Sequence, residues 1–426
     1  MHDILNDPAT YRRLNNDPTL KTQRLTNNLI SQLHIQGHIS EYKSKKLKRY
    51  NSIPAKIYAL PKTHKKGPLR FRPIVSAIGS PTYNISKYIH DILVQVGSTL
   101  PYNLKNSCDV RDQITRVNIP DNFILMSLDV VSLFPSICKD LIIEIINIKW
   151  STIKAYTTIS SKSMFRQLIK HIFENSFFQY EGEHFQQLDG CSMGSPSSPS
   201  LGNLIMDYIV HKALENKEDI RIEWIRYYVD DTVLIVHKDD IQKTMDLFNS
   251  IHAKIQFTME LEENNSLPFL DLLLIREDNK VVTDLYMKPT SSGRVLNFHS
   301  TCPMSHKVSI ITSAKYRILK LSDKKFHHNN FNKIKKLLKM NNYPEQLINK
   351  IFYSSNQIKY KDDDVKYYKF PAVGTVDKKI QTALKGHKIK LGLYNQKNNY
   401  NQIYTKLKSK TDNMQAQIRC SLQNIL

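Results

Sequence analysis

Three acids in this chain sit where acids are costly. Asp230 and Asp231 follow Tyr227-Tyr228-Val229 and precede Thr232-Val233-Leu234-Ile235-Val236, so apolar residues stand on both sides of an adjacent carboxylate pair. That pattern predicts two short buried strands joined by a tight turn. Asp129 closes a second apolar run, Phe123-Ile124-Leu125-Met126-Ser127-Leu128, which reads as a buried strand ending on an acid. Carboxylates at the end of an apolar sheet need a cation, and hard divalent ions prefer oxygen ligands. Three such groups can hold two Mg²⁺ ions about 4 Å apart, the arrangement that serves in-line phosphoryl transfer. An isolated Asp-Asp is more often a solvated turn, as Asp239-Asp240 and Asp362-Asp363-Asp364 illustrate, so the reading depends on what accompanies it.

Phosphate chemistry also needs cations and small residues. Lys62, Lys65 and Arg72 fall in a Lys/Arg-rich stretch punctuated by Pro and Gly, which argues for a defined loop between strand pieces. Arg grips phosphate in bidentate fashion and Lys acts as a point charge. Gly194, Ser195 and Pro196 open a predicted helix that starts near Pro199. Small residues there let a base pair or sugar approach closely, and a helix N-terminus favours anions; an ordinary Ser-Pro helix cap is the plain alternative.

The elements that must position these groups form a mixed pattern. Helices are expected over the first 50 residues, at 85–96, 139–150, 163–173, 199–214 and 239–252. Strands are expected around 55–82, 123–128, 177–187, 224–236, and as a pair at 257–262 and 269–275. Past about residue 285 Lys and Asn rise, and Phe331, Ile334, Leu337 and Leu338 mark a basic amphipathic helix, either a solvated face or a duplex contact. Residues 354–426 read as a loosely packed tail.

Composition sets the bounds. The chain has 426 residues, 41% of them hydrophobic, enough for two or three structural units. Its net charge of +22 suits a polyanionic partner. Five scattered cysteines, with no Cys-x-x-Cys, argue against a disulfide framework or zinc ribbon and for reduced thiols. No run of 18 apolar residues suggests a membrane span. An intracellular, nuclear location is the expectation, without a clear targeting signal.

Taken together, Ser127-Leu128-Asp129-Val130-Val131-Ser132-Leu133-Phe134, Met193-Gly194-Ser195-Pro196 and Tyr228-Val229-Asp230-Asp231 resemble motifs A, B and C of reverse transcriptases in type, order and spacing. Leu60-Pro61-Lys62-Thr63-His64-Lys65, Arg72-Pro73-Ile74-Val75-Ser76, Gly79-Ser80-Pro81-Thr82-Tyr83-Asn84, Leu267-Pro268-Phe269-Leu270-Asp271-Leu272 and Tyr286-Met287-Lys288-Pro289-Thr290 resemble Penelope-like retroelements. The resemblance runs over about residues 8–395. No endonuclease signature is visible, so an endonuclease-lacking or shortened version is expected.

The resemblance implies an α+β right-hand polymerase. N-terminal helices and fingers would span 1–122, and a palm with an antiparallel sheet 123–284, interrupted by a fingers insertion at about 139–187. A thumb-like basic helical region would span 285–353 and a basic tail 354–426. It implies that Asp129, Asp230 and Asp231, with the carbonyl of Val130, hold two Mg²⁺ ions, with Mn²⁺ as a substitute. Lys62 and Arg72, with Lys65 as a nearby rival, would hold the incoming triphosphate beside Gly194, Ser195 and Pro196. Phe134 would be the steric gate against a 2′-hydroxyl, and Phe269, Leu270 and Asp271 the primer grip. The group that protonates pyrophosphate is not legible; Lys254 is one candidate. RNA template, DNA primer and dNTPs would be the partners, with no membrane. Two rival readings are a catalytically degenerate nucleic-acid-binding remnant and a telomerase-like terminal extender.

Overall fold

The structure is a computed structural model describing residues 2–61, 71–354, 366–371, 375–384, 386–387 and 389–394. Two compact units divide between Val281 and Val282.

In the first unit the strands are β1 (Tyr11–Leu14), β2 (Ala55–Pro61), β3 (Phe71–Ser76), β4 (Phe123–Val130), β5 (Phe177–Tyr180), β6 (Glu183–Gln187), β7 (Ile222–Tyr228), β8 (Asp231–His237), β9 (Phe257–Leu261), β10 (Ser266–Phe269) and β11 (Leu272–Glu277). Its helices are α1 (His2–Leu5), α2 (Thr19–Ile35), α3 (Glu41–Leu47), α4 (Tyr83–Gly97), α5 (Ser107–Ile114), α6 (Leu133–Ser136), α7 (Lys139–Ile148), α8 (Trp150–Lys154), α9 (Lys162–Glu174), α10 (Ser198–Glu215) and α11 (Ile241–Ser250).

A four-stranded antiparallel sheet in the order β7-β8-β4-β9 carries the acids. Its central strand β8 is buried without interruption from Thr232 to Val236, the continuous apolar run expected when both faces are covered. One hydrophobic core joins this sheet to α4, α7, α9 and α10, through residues such as Ile89, Ile142, Phe165, Ile205, Tyr227 and Leu234. Removing any one of these large side chains would cost about 2–5 kcal/mol, so the platform under the acids is rigid.

A second sheet runs β1-β6-β5-β2-β3. The β5–β6 hairpin and the β2–β3 pair were legible in the sequence; β1 was not. Its Tyr-Arg-Arg-Leu has no strand signature of its own and is recruited by pairing with β6, where Arg12 donates to Gln186 and Arg13 pairs with Glu183. Two further expectations shift. The helix expected over 139–150 is two, α7 and α8, and β9 does not pair with residues 269–275. It lies on the far edge of β4, with Asp129 opposite Thr258 and Val130 opposite Phe257, while residues 269–275 fold back on β10 as a hairpin of their own.

The second unit contains α12 (Met304–Leu321), α13 (Lys324–Met340) and α14 (Glu345–Phe352). They close on a small core that includes Ile310, Ile311, Leu338, Tyr343, Ile348 and Phe352. Where a loosely packed tail was expected, the described residues include two strands paired in parallel, Lys366–Pro371 with Ile389–Tyr394, and the helix Thr375–Ala383 lies between them in sequence. Among the described residues no helix is long and apolar enough to cross a membrane, and Cys108, Cys138, Cys191 and Cys302 are free thiols.

Candidate active site

Register brings the three acids together. β4 and β8 pair antiparallel so that Asp129 stands directly opposite Asp231. Directly opposed side chains on one face of such a pair have Cβ atoms about 4.5–5.5 Å apart. Tyr228 faces Asp231 across the β7–β8 hairpin, which leaves Val229 and Asp230 as the two-residue turn. The carbonyl of Asp230 accepts from the amide of Val130 at 3.4 Å, tying the turn to the end of β4. On the other side of β4, Thr258 Oγ1 donates to the Asp129 carbonyl at 3.3 Å and the Val131 amide to the Gln256 carbonyl at 2.9 Å. Three chain segments far apart in sequence thus fix one sheet end.

Val229 has φ +56°. A β-branched residue in the left-handed region is a genuine outlier, with a strain of about 1–3 kcal/mol. Two-residue hairpin loops with this geometry normally place Gly there. The turn is held in a shape its own residues resist.

Opposed like charges on adjacent strands repel, and oxygen donors of this kind suit a hard divalent cation. In donor type and backbone register the three residues fit a metal site. Among the described residues no group of three or more His, Cys, Asp or Glu side chains is placed to hold a metal ion.

The loop before α10 is built by close approach. A Cβ on Gly194 would lie 1.9 Å from the carbonyl oxygen of Val75 in β3, so only glycine fits. Gly190 has φ +78°, and a Cβ there would meet the Pro135 carbonyl at 2.5 Å. The Cys191 amide donates to the Phe134 carbonyl at 2.7 Å. A hydroxyl cluster fastens the helix start to α4: Ser86 Oγ lies 2.8 Å from both Ser195 Oγ and Ser197 Oγ and accepts from the Ser197 amide at 3.1 Å. A cavity of about 30 Å³ lies beneath, lined among others by Val75, Ser80, Cys191 and Ser195. Burial pushes the Cys191 thiol up to about 12, so it is a packing residue and not a nucleophile.

The remaining expected residues fall as follows. Arg72 is exposed on β3 opposite Leu60; Lys62 and Lys65 lie outside the described residues. Pro196 is partly buried at the start of the serine turn. Phe134 is half-buried and packs against the main hydrophobic core, and its ring lies 3.8 Å from where a Cβ on Gly202 of α10 would stand. Phe269 is buried, and Leu270 and Asp271 form the β10–β11 turn, with Leu270 at φ +54° and Asp271 accepting from Ser107 Oγ at 3.1 Å. Lys254 pairs with Asp189. The hydrogen bond it donates to that carboxylate holds the ammonium above its usual range, which keeps it protonated.

Sequence reading missed several supports. Asp189 and Gly190 could have been suspected from the Asp-Gly turn signal; Ser86, on an ordinary helical segment, carried none. Asp207, at 0% exposure in α10, pairs with Lys149 Nζ at 2.5 Å. It was invisible because an acid in a helical run reads as surface. Residues 102–104 flank β7, with the Tyr227 amide donating to the Tyr102 carbonyl at 2.9 Å and Leu104 to the Tyr227 carbonyl at 2.8 Å.

Comparison with known proteins places this site. Residues 63–262 match the model of the reverse transcriptase (RNA-dependent DNA polymerase) family, so the chain carries a reverse transcriptase domain, the domain of RNA-directed DNA polymerases. With that match, the expected α+β fold of a right-hand polymerase stands. Residues 294–353 match the animal helix-turn-helix domain. No curated protein matches the chain. Among solved structures, telomerase from Candida albicans in complex with a telomeric RNA fragment is similar at 11% identity and a TM-score of 0.47, covering 80% of this chain and 64% of its own. The RNA-dependent RNA polymerase of a human picobirnavirus is similar at 12% identity and a TM-score of 0.45, covering 67% and 55%. The chain thus spans less than two thirds of the length of either.

Proposed function

We propose that this protein is the reverse transcriptase of a Penelope-like retroelement, extending a DNA primer 3′-hydroxyl with dNTPs on an RNA template and releasing pyrophosphate. The observation that carries the proposal is the register: Asp129 opposite Asp231, with Asp230 in the adjoining turn, inside a matched reverse transcriptase domain. Asp129, Asp230 and Asp231, with the Val130 carbonyl, would hold two Mg²⁺ ions. When bound, these supply a lowered pKa at the attacking hydroxyl and charge neutralisation on the leaving pyrophosphate.

The chain's own residues do the rest. Arg72, with Lys62 and Lys65, would neutralise the triphosphate from the β2–β3 side. Gly194, by its contact with the Val75 backbone, sets how closely the Ser195–Pro196 turn comes to the nucleotide. Phe134 would bar a 2′-hydroxyl, and its packing against α10 keeps the ring from yielding. Phe269, Leu270 and Asp271 would steady the primer end. Support for the Penelope-like assignment is the set of flanking motifs from Leu60 to Thr290. Extension of oligo(dT) on poly(rA) by the purified chain, with Mg²⁺ and then with EDTA, tests the reading. Incorporation that depends on Mg²⁺ is expected; binding of the duplex with no incorporation would favour the degenerate remnant.

A further inference from the structure

Phe134 has little local support of its own. It lies in α6, a single turn of four residues that includes Pro135, and a helix so short does not hold its shape unaided. Its hold comes from two loops. From the loop after β6, the Cys191 amide donates to the Phe134 carbonyl at 2.7 Å. The Gly190 backbone lies against Pro135, where a Cβ would meet the carbonyl oxygen at 2.5 Å and the Cα at 2.8 Å. From the loop between α11 and β9, the Gln256 carbonyl accepts from the Val131 amide at 2.9 Å.

One carboxylate joins those two loops. Asp189 Oδ1 accepts from the Gly190 amide at 3.0 Å, and its Oδ2 accepts from Lys254 Nζ. Each end of the link is fixed in turn. Gln187 Nε2 donates to the Asp189 carbonyl at 2.9 Å. Gln256 Nε2 closes the Lys254 loop by donating to the Asn249 and His252 carbonyls at 3.1 and 3.2 Å. Cys138 and Asp140 also bear on the Lys254 ammonium, after Asp189. The Lys254 and Asp189 side chains are 54% and 35% exposed, and a pair this open adds little to global stability. Its consequence is local.

We propose that Asp189, held by Lys254, is a positioning residue for sugar selection: it sets the Gly190–Cys191 backbone against Phe134 and Pro135 and so fixes the ring that excludes a ribose 2′-hydroxyl. This rests on the reading of Phe134 as the sugar gate. A gate discriminates only when its support is rigid. Without the carboxylate, the Gly190 amide loses its acceptor and the two loops lose their link. The short α6 then yields, and a hydroxyl is admitted.

The test compares dUTP with UTP on poly(rA)/oligo(dT), two nucleotides that differ only at the 2′ position. Effects on primer binding or pyrophosphate release fall on both and cancel in the ratio of their kcat/KM values, so a merely structural loss does not move it. Asp189→Ala is expected to lower the dUTP/UTP ratio roughly tenfold, through a rise with UTP and with the urea midpoint nearly unchanged. Lys254→Gln should do the same, and the double variant should be no worse than either alone. Lys254→Arg, which keeps the pair, should stay within about twofold of wild type. A wild-type ratio in Asp189→Ala overturns the proposal. If Phe134→Ala admits UTP in that same series, the gate stands and the Asp189 link alone falls; if Phe134→Ala also keeps the wild-type ratio, the gate reading falls too. The link is read without catalysis as well. Hydrogen exchange at the Cys191 amide should quicken roughly fivefold in Asp189→Ala, and unchanged exchange would overturn the proposal even in a chain that extends nothing.

Discussion

Two kinds of hairpin coexist in the first unit. The turns Glu181-Gly182 and Asn264-Asn265 have positive φ at both central positions, 49° and 88° in one and 50° and 56° in the other. They are made of residues suited to that geometry, or nearly so. The turns Val229-Asp230 and Leu270-Asp271 close equally tight hairpins, yet each puts a bulky apolar residue at positive φ, 56° and 54°, followed by an acid. The first pair connects strands. The second pair presents carboxylates at strand ends, one beside Asp129 and one in the expected primer grip. Strain of this sort persists only where the surroundings over-determine it, and it gathers at working sites.

The contrast can be broken by substitution. The largest effect is expected at Gly194→Ala, where the added methyl would overlap the Val75 carbonyl. A loss of about 3 kcal/mol or more in urea melts, with activity falling in parallel, is expected; a silent variant would mean the loop is free to move. Next comes Val229→Gly, which should raise stability by about 1 kcal/mol through relief of strain while lowering the extension rate by at least roughly tenfold. Asn264→Gly, in a turn without that conflict, should change both by less than about half as much. If the two behave alike, the strained turn has no special role.

A smaller effect separates the opposed carboxylates. In EDTA, Asp231→Asn should raise the melting temperature by a few degrees, because it removes repulsion worth about 0.5–1 kcal/mol across the strand pair. The same variant should lose most of the stabilisation that Mg²⁺ gives the wild type. A Mg²⁺ shift retained in full would show that the ion binds elsewhere.

The smallest is a pH effect remote from the site. Hydrogen bonds from Arg221 hold the Asp240 carboxyl down to about 2. A depressed acid stabilises the fold above its unfolded value near 4 and loses that contribution as pH falls toward 2. Asp240→Asn should therefore lower stability near neutrality, where that contribution is fully present, and flatten the acid limb, so that the two stability curves converge toward pH 2.

The acids and their strands were legible because buried strands announce themselves. Residues 231–237 and 123–130 are apolar runs too short for helices, and an acid at the end of each is conspicuous. The loop glycines were legible as small residues, though not their reason, since Gly194 is demanded by a strand more than a hundred positions earlier. What stayed hidden depends on partners. β1 has no pattern without β6, and β9 pairs with β4 and not with its sequence neighbour. Asp207 is tolerable in the core because Lys149 and His211 reach it. The strain at Val229 could not be read at all, since nothing in Tyr-Val-Asp-Asp says that the valine turns left-handed.

Primer extension by the full chain on poly(rA)/oligo(dT), wild type against Asp230→Asn, tests the central claim most directly, with duplex binding measured on the same preparations. The expected result is a fall in extension rate on the order of 10³-fold with binding within about twofold of wild type. Extension by Asp230→Asn at the wild-type rate would contradict the assignment of the β4–β8 sheet end as the polymerising centre.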